Sequence, residues 1–361
     1  MIIKEIKINN YKNIENISLS FDQSCNIIVG DNKQGKTNLL ESIYLLSTTK
    51  TINNITDEEM IKEGSSLANI EIVFKDKVEN NIKFIINKDG KNIYYNHNHC
   101  NSYMDIIGKI NTILFNYKDI FFFDTTPKNR RKYIDLEIGK FDKTHLNNLK
   151  YNNKLIKDRN NLLKEANNNY LLYDILDDKL VNYQFDIVKK RNKFIDNINK
   201  IIISLYNLIN NNIEKNINIE YHSELLNFSK EKIKKLHRDN FSKDIATKTT
   251  NLTINKDDYV FKLGKEKVSN YCSQGEKRKI IITFKLAIIE YIKKELNINP
   301  IFLIDDFFSE LDLKNIQKII DNIPKNIQTI ITTTEINNIL NLGKYKKINI
   351  KKGNVIGENY G

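Results

Sequence analysis

The stretch from Ile27 to Leu46 constrains the fold of this chain more than any other. A short apolar strand runs into the loop GDNKQGKT at positions 30–37, and a helix with apolar residues at helical spacing follows. Gly30 and Gly35 allow the backbone to curl so that its N–H groups point inward, which is typical of a loop that holds phosphates. The sequence therefore predicts a nucleotide-binding unit, and an accidental glycine turn before a helix is the weaker alternative.

Each position of this loop has an expected role. We expect Lys36 to reach the β and γ phosphates, and the hydroxyl of Thr37 to ligate Mg²⁺. The N-terminal end of the following helix adds positive potential at the same place. The nucleotide-binding set is completed by the neighbouring residues Gly30, Asp31, Asn32, Lys33, Gln34, Gly35 and Asn38.

Composition places the chain among globular proteins. Of its 361 residues, 40% are hydrophobic and 28% are charged, which is neither the disordered nor the membrane-spanning pattern. The longest apolar runs are too short to cross a bilayer, and the first residues alternate like a strand and lack the features of a signal peptide. Cys25, Cys100 and Cys272 are too scattered for a disulfide framework. We therefore expect a cytoplasmic protein, nucleoid-associated if it binds DNA, without a membrane partner.

The formal charge of +12 favours an anionic partner, and in such a protein this is most often nucleic acid. The alternative is coding bias, since the chain is crowded with Asn, Ile and Lys. The segment NHNHC, with His97, His99 and Cys100, could bind a metal ion, but a turn between strands is the better interpretation because no second ligand pair follows at finger spacing.

The pattern of the first hundred residues is that of a mixed sheet around the phosphate loop. Asp89-Gly90 is a strong hairpin signal between the last two predicted strands. The predicted strands are Ile2–Ile8, Ile17–Phe21, Cys25–Val29, Asn69–Phe74, Ile82–Asn87 and Asn92–Tyr95.

Helical spacing dominates from about Asn129 to Lys235. It is clearest over Asp174–Asn210, where apolar residues recur at threes, fours and sevens: Leu180, Ile187, Phe194, Ile198, Ile201, Leu205 and Leu208. Such a length favours a short antiparallel coiled-coil arm, with a plain long helix in a bundle nearly as favoured.

Strands return after Asn251. A hairpin is predicted from Leu252–Asn255 and Tyr259–Leu263, followed by a helix at Lys277–Leu296 and strands at Ile301–Ile304 and Gln328–Thr332. We therefore predict an α/β fold in which an ABC-type ATPase lobe, 1–118 and 246–361, is interrupted by an all-helical lobe, 119–245, that carries the arm.

Two carboxylates follow the apolar strand that ends at Ile304. A parallel strand buried on both faces has this composition, and acidic groups at its C-terminal end would lie beside the phosphate loop. We expect Asp305 to hold Mg²⁺ through water and Asp306 to polarise the attacking water. An acidic helix cap is the alternative for a single Asp, but SELD follows closely at 309–312.

Upstream, Ser273-Gln274-Gly275-Glu276-Lys277-Arg278 opens a helix. Ser273 is suited to cap this helix, and Gly275 allows an anion to approach closely. The phosphate loop at 30–37 is a Walker A element, and the strand ending in Asp305 and Asp306 is a Walker B element. In a chain that contains both, this pattern is typical of the signature motif of ABC-type ATPases.

Together, these motifs resemble the RecF family of bacterial recombination mediators, which is related to SMC heads. The resemblance covers nearly the full length in the same order: INNYKNIENISLSF, GKTNLLESIYLLS, NRRKYID at 129–135, LIKDRNNLLK at 155–164, Arg238-Asp239, SQGEKRKIIITFKLA, LIDDFFSELD and QTIITTTE.

The resemblance implies that ATP is held between two protomers, with each phosphate loop facing the other protomer's signature. It also implies slow hydrolysis, binding of duplex or gapped DNA, and the partners RecR and RecO. Lys12, where the family commonly has Arg, becomes a candidate ATP contact. Candidates for DNA phosphate contacts are Arg130, Arg131, Lys132, Lys157 and Arg159; Arg130 or Arg131 could instead tie the two lobes together.

The chain departs from the family pattern at several places. Lys33 stands where a small residue is usual, and Cys272 where a glycine precedes the signature serine. Ile52 and Asn53 replace His and Arg, and Tyr117 lies in a changed F-S-P-E-D element. Residues 253–256 depart from G-P-H-R-D-D, which keeps its acidic end in Asp257 and Asp258. These changes leave the ATP core and bear on the DNA or partner surface.

Two other classes share the three motifs. A transporter's nucleotide-binding subunit would carry a histidine after 328–334 and would lack the long helical insertion. A defence-type ATPase would need an attached nuclease, and the matched motifs leave no stretch for one. An ATP-switched DNA repair protein is therefore the leading prediction.

Overall fold

The computed structural model describes residues 1–53, 55–165, 169–210, 216–306, 313–335 and 343–361. The chain forms two compact units. Unit 1 comprises Met1–Ile120, Ile201–Glu214 and Cys272–Gly361, and unit 2 comprises Phe121–Lys200 and Lys215–Tyr271. The first boundary lies close to the expected one, whereas residues 246–271, expected in the ATPase lobe, belong to unit 2.

The strands, in chain order, are β1 (Ile2–Tyr11), β2 (Ile14–Ser20), β3 (Cys25–Val29), β4 (Ala68–Lys75), β5 (Glu79–Asn87), β6 (Gly90–Tyr95), β7 (Asn98–His99), β8 (Thr112–Phe115), β9 (Ile217–His222), β10 (Asp258–Leu263), β11 (Glu266–Lys267), β12 (Ile301–Ile304), β13 (Thr329–Thr333), β14 (Tyr345–Lys351) and β15 (Asn354–Tyr360).

The helices are α1 (Lys36–Thr48), α2 (Pro127–Gly139), α3 (Lys143–Lys164), α4 (Tyr170–Asn210), α5 (Lys230–Asp239), α6 (Phe241–Thr247), α7 (Val268–Tyr271), α8 (Gln274–Leu296) and α9 (Leu313–Asp321). Short 3₁₀ turns lie at Glu58–Met60, Tyr103–Asp105, Tyr117–Asp124 and Ile254–Lys256.

Unit 1 contains the sheet that positions the phosphate loop. Its strand order is β15-β14-β3-β13-β12-β8, and all neighbours are parallel except β14 and β15. Every residue of β12 and β13 is buried, as expected for parallel strands covered on both faces. The C-terminal ends of β3, β13 and β12 therefore meet at one edge of the sheet, where ligands of open α/β sheets bind.

A second sheet of unit 1 is antiparallel, with strand order β2-β1-β4-β5-β6-β7. Buried and half-buried positions alternate along β4 and β5, so that one face packs on the core. The strands predicted in the first hundred residues therefore divide between two sheets, since β3 leaves its sequence neighbours and joins the parallel sheet.

One buried side chain joins these two sheets. The amide of Gln328, just before β13, accepts a hydrogen bond from the Ile3 N–H at 2.7 Å through Oε1. Its Nε2 donates to the Ile3 carbonyl at 2.9 Å and to the Asp22 carbonyl at 2.7 Å. The start of β1 is thereby fixed to the N-terminal end of β13, an interior strand of the parallel sheet.

Unit 2 combines helices with a small sheet of order β11-β10-β9. The helical insertion is thus confirmed, but the sheet was not expected within it. The predicted strand Leu252–Asn255 is wrong, since a 3₁₀ turn lies at Ile254–Lys256 and β10 pairs with β9 instead. The strand β9 was missed because neither Gly nor Pro punctuates the chain around it.

The predicted long helix is confirmed as α4, of 41 residues. It runs antiparallel to α3, since Tyr183 stacks on Tyr151 and Asp177 accepts from Arg159 at 2.7 Å. Leu180, Ile187, Phe194 and Ile198 are buried as expected. Beyond 200 the buried positions are instead Ile202, Tyr206 and Ile209, whereas Leu208 is 60% exposed. These buried positions continue the helical spacing of Ile198 at four, four and three residues, so the buried face is unbroken. The seven-residue spacing of Ile187, Phe194, Ile201 and Leu208 drifts away from that face, since seven residues fall short of two full turns of an α-helix. Over the described ranges, none of the helices has the length and apolar character that crossing a bilayer requires.

Candidate functional site

The phosphate loop joins the end of β3 to the start of α1, as the sequence predicts. The Gly30 N–H donates to the Thr333 carbonyl at 3.3 Å, which ties the loop to β13. A Cβ atom at Gly30 would lie 2.3 Å from the Ile350 carbonyl oxygen, and Gly35 has φ +102°. Both glycines are therefore required by the backbone: one by close approach and one by its left-handed conformation.

Lys36 points back into the loop that precedes it. Its Nζ donates to the carbonyl oxygens of Gly30 at 2.6 Å and Asp31 at 2.8 Å. Burial lowers the pKa of its ammonium group, although the carboxylates of Asp306, Asp305 and Asp31 act in the opposite direction. The curled loop thus holds a cation at its centre, where a phosphate chain would be neutralised.

Thr37 and Asp305 meet across the edge of the parallel sheet. The Thr37 hydroxyl donates to Asp305 Oδ1 at 3.0 Å, and the hydroxyl of Thr332 donates to the same oxygen at 2.7 Å. Thr332 lies on β13, the strand between the two motifs. The structure therefore brings together the two residues that the sequence assigned to Mg²⁺.

Asp305 is buried, and burial raises the pKa of its carboxyl, as does the neighbouring charge of Asp306. Asp306 follows in the left-handed region at φ 47°, and its N–H donates to Thr332 Oγ1 at 3.0 Å. The strand thus ends in a sharp turn that leaves two adjacent carboxylates beside the loop.

The residues here fit a Mg²⁺ ion. Thr37 and Asp305 offer a hydroxyl and a carboxylate oxygen, which are the hard ligands that Mg²⁺ prefers. The carboxylate is buried and would gain from a cation, since burial disfavours its charge. Neutralising the phosphate oxygens is what the ion would supply there.

The remaining loop residues lie at its surface. Asp31, Asn32 and Lys33 are exposed, and Gln34 is half-buried. Lys33 has φ 65°, a conformation uncommon for a residue with a side chain. The Asn38 amide donates to Asn13 Oδ1 at 2.7 Å.

Lys12 is held by a buried carboxylate on the loop's own helix. Its Nζ forms an ion pair with Glu41, which is 1% exposed. Glu41 also accepts from the Tyr11 hydroxyl at 3.4 Å and from the Ile52 N–H at 2.9 Å. Sequence reasoning passed over Glu41, although a carboxylate on the apolar face of α1 signals a buried partner.

The signature residues open α8 at the surface of unit 1. Ser273 caps the helix as expected: its Oγ accepts from the Glu276 N–H at 3.3 Å, and Glu276 Oε2 accepts from the Ser273 N–H at 2.9 Å. Ser273 and Gly275 are exposed, and nothing lies within 4 Å of a Cβ built at Gly275. An anion can therefore reach this helix start.

The arginine-rich element of α2 is occupied within unit 2. Arg130 Nε and Nη2 each donate to a carboxylate oxygen of Asp258 at 2.8 Å, and Arg131 Nη1 donates to the Asp257 carbonyl. Asp257 also pairs with the buried Arg191 at 2.7 Å. These arginines were considered either for DNA phosphate contacts or for a tie between the two lobes. The observed contacts favour a structural role, but arginine and aspartate both lie in unit 2, so the contact does not tie two lobes together.

The structure contradicts the assignment of Arg159 to a DNA contact. Its side chain is fully buried and donates to Asp177 and Asp244 at 2.7 Å each, and to Thr250 at 3.1 Å. A guanidinium with these partners is a core ion pair. Lys132 and Lys157, in contrast, are exposed.

His97 lies in the turn between β6 and β7, His99 lies in β7 and Cys100 follows that strand, so the predicted turn between strands is confirmed. In the part of the chain that the structure describes, no group of three or more His, Cys, Asp or Glu is placed to hold a metal ion.

The fold and the site together define an ATPase head of the ABC and SMC type. The SMC head bound to the C-winged helix domain of ScpA has the same fold, with a TM-score of 0.60 at 16% identity over 100% of this chain and 98% of that one. The sequence model of the RecF/RecN/SMC N terminal domain matches residues 2–356.

Relatives named DNA replication and repair protein RecF match almost the whole chain. The protein of Lachnoclostridium phytofermentans is 35% identical and covers 94% of this chain and 95% of its own length. That of Lachnospira eligens is 34% identical over 99% and 100%. A solved structure of “the recombination mediator protein RecF-ATP in RecFOR pathway” has a TM-score of 0.89 at 28% identity, over 99% of both chains. The chain therefore belongs to the RecF family. The resemblance and the fold class expected from the motifs are confirmed.

Proposed function

We propose that this chain is an ATP-binding DNA replication and repair protein that acts as a weak ATPase switch in recombinational repair and at replication forks. The observation that carries the proposal is the convergence of Lys36, Thr37 and Asp305 at the end of the parallel sheet, with Thr37 and Asp305 3.0 Å apart. Its RecF relatives bear names of replication and repair, which supports the same role.

ATP would join two copies of the chain. The signature helix start is exposed and open at Gly275, so the γ-phosphate held by one copy can meet the Ser273 end of another. Asp306, next to Asp305, would polarise the attacking water. Hydrolysis removes the γ-phosphate contacts and releases the dimer, which makes ATP a switch.

The dimer would clamp duplex DNA near single-strand gaps and help load a recombinase. The net charge of +12 and the exposed Lys132 and Lys157 support sequence-independent phosphate contacts with steep salt dependence. RecR and RecO are the expected protein partners, in line with the RecFOR pathway of the solved relative. Such a protein would work in the cytoplasm at the nucleoid.

Two substitutions test the switch. Lys36→Ala should abolish ATP-driven dimers because the phosphates lose their central cation, whereas Asp306→Asn should let dimers persist because hydrolysis stops. Lys77→Ala, at an exposed position in the turn between β4 and β5, is the control and should behave like the unaltered chain. The mass of each variant is measured by light scattering with ATP, with ADP and without nucleotide, and the binding of gapped and fully duplex DNA is measured in parallel. Dimers of Lys36→Ala and Asp306→Asn that ignore ATP would refute the sandwich.

A further inference from the structure

The turn between β14 and β15 contacts the phosphate loop directly. The Lys352 N–H donates to the side-chain Oε1 of Gln34, and the Gly353 N–H donates to the Gln34 carbonyl at 2.9 Å. A Cβ atom at Gly30 would lie only 2.3 Å from the Ile350 carbonyl oxygen. The loop is therefore backed along its length by the C-terminal hairpin, which lies more than 300 residues away in sequence, as the 318-residue separation of Gln34 and Lys352 shows.

The turn between β1 and β2 supports the loop as well. Asn13 Nδ2 donates to the Lys33 carbonyl at 3.3 Å, and Asn13 Oδ1 accepts from the Asn38 amide at 2.7 Å. Asn13 thus bridges the loop and the first turn of α1. Neither turn was singled out from the sequence. The Lys352–Gly353 turn donates through backbone N–H groups, which residue identity does not reveal.

Gly353 lies where these segments meet. Its φ is +75°, and a Cβ there would lie 2.5 Å from the Asn13 carbonyl oxygen. A Cβ at Gly35 would in turn lie 3.4 Å from Gly353 Cα and 3.1 Å from Asn13 Oδ1. Contacts this close leave no room for a side chain at position 353 unless one of the two turns moves.

We infer that the Lys352–Gly353 turn is a positioning element of the nucleotide site, with Gln34 and Gly353 as its positioning residues. The inference rests on the proposed function. Because the turn occupies both the carbonyl and the side-chain oxygen of Gln34, the loop keeps its curl, and its inward N–H groups remain available to phosphate oxygens. The turn acts through the loop and does not itself touch the phosphates.

Two substitutions disturb the contact from opposite sides. Gly353→Ala forces the turn away from Asn13, and Gln34→Met keeps the length of the side chain but removes its acceptor oxygen. Gly357→Ala, in β15 of the same hairpin, is a matched control because its Cβ would meet nothing closer than 3.7 Å. Gly64→Ala, at φ +83° with nothing within 4 Å, controls for backbone strain alone.

The affinity for ATP is measured for the full chain at a temperature at which circular dichroism shows every variant folded. We expect Gly353→Ala and Gln34→Met to bind ATP about tenfold more weakly or worse, since small displacements at such sites are costly, and both controls to bind normally. Hydrogen exchange adds a readout that a merely structural role would not move. Bound ATP should slow exchange at the Gly353 amide of the unaltered chain, because the coupling between two sites is reciprocal.

Normal ATP affinity of Gly353→Ala and Gln34→Met in a chain that itself binds ATP would overturn this inference alone. Equal losses in Gly353→Ala and Gly64→Ala would also overturn it, since strain would then be the cause. Failure of the unaltered chain to bind ATP would instead overturn the proposed function.

Discussion

Arg130 and Asp258 form a bidentate ion pair, with Nε and Nη2 each 2.8 Å from a carboxylate oxygen. The adjacent residues of the two motifs also pair, since Arg131, which follows Arg130, donates to the backbone carbonyl of Asp257, which precedes Asp258. The arginine-rich element and the acidic pair that remains of G-P-H-R-D-D are therefore partners inside unit 2. A parallel arrangement of two donors and two acceptors fixes both position and orientation.

Because of this pairing, we expect substitution of Arg130 to affect stability and substitution of the nearby Lys132 to affect DNA binding. Arg130→Ala should lower the free energy of unfolding by about 2 kcal/mol, because Asp258 loses its partner in a partly buried place. It should leave the salt dependence of duplex binding unchanged. Lys132→Ala, at an exposed position, should keep stability and reduce the slope of log affinity against log salt by about 0.9.

Urea denaturation followed by circular dichroism gives the first quantity, since the chain has no tryptophan, and DNA titrations at several salt concentrations give the second. The variant Arg130→Ala/Asp258→Ala closes a double-mutant cycle. A reduced salt slope in Arg130→Ala would return this residue to the DNA surface.

Asp305→Asn should lower ATP hydrolysis without lowering the unfolding temperature of the nucleotide-free chain. Burial raises the pKa of the Asp305 carboxyl, so its charge costs stability above that pKa and the cost disappears at low pH. The amide keeps an oxygen for Thr37 and Thr332, and the unfolding temperature without nucleotide should therefore be equal or higher. ATP hydrolysis should fall about a hundredfold or more, because the site loses its metal-binding charge.

Thermal unfolding and phosphate release measure these two effects of Asp305→Asn. Asp89→Asn removes an exposed carboxylate outside the loop and should change neither strongly. A large fall in the unfolding temperature would show that the charge of Asp305 stabilises the nucleotide-free chain.

His237 should make unit 2 sensitive to acid. Burial, with the charge of Arg159, lowers the pKa of His237 to about 4, whereas an unfolded histidine titrates near 6.5. Its contribution to stability is therefore complete above pH 6.5 and is lost as the pH falls towards 4. Between pH 7.5 and pH 5, the unaltered chain should lose about 2 kcal/mol more than His237→Gln.

Denaturation curves at the two pH values test this difference. His222→Gln, at an exposed position, should follow the unaltered chain. If His237→Gln shows the same pH dependence as the unaltered chain, the acid sensitivity originates elsewhere.

The sequence predicted best where a local pattern determines the structure. The bounds of β3 and β12 agree with the predicted strands, because an apolar run between polar residues is what a strand buried on both faces requires. The loop from Gly30 to Thr37 was found for the same reason, since its motif is continuous.

The sequence predicted least where partners are distant. Arg130 and Asp258 lie 128 residues apart, and nothing local distinguishes an arginine that pairs with a buried carboxylate from one that awaits a phosphate. Arg159 was misassigned on this account. In α4, Ile201, Leu205 and Leu208 were expected to be buried because they continue a seven-residue repeat, whereas the buried face follows the 3.6-residue turn to Ile202, Tyr206 and Ile209.

The amide of Gln328 connects the two sheets of unit 1 through hydrogen bonds that require one orientation of its side chain. Apolar packing is degenerate, since one methyl group can replace another on either side. An amide that receives an N–H at its oxygen and supplies two carbonyls from its nitrogen fits in one orientation only. A carboxylate at 328 would face two carbonyl oxygens with nothing to donate, and a lysine would have nothing to accept with. The attachment of β1 thus requires a side chain that both accepts and donates hydrogen bonds, which excludes other residues of nearly the same size at position 328.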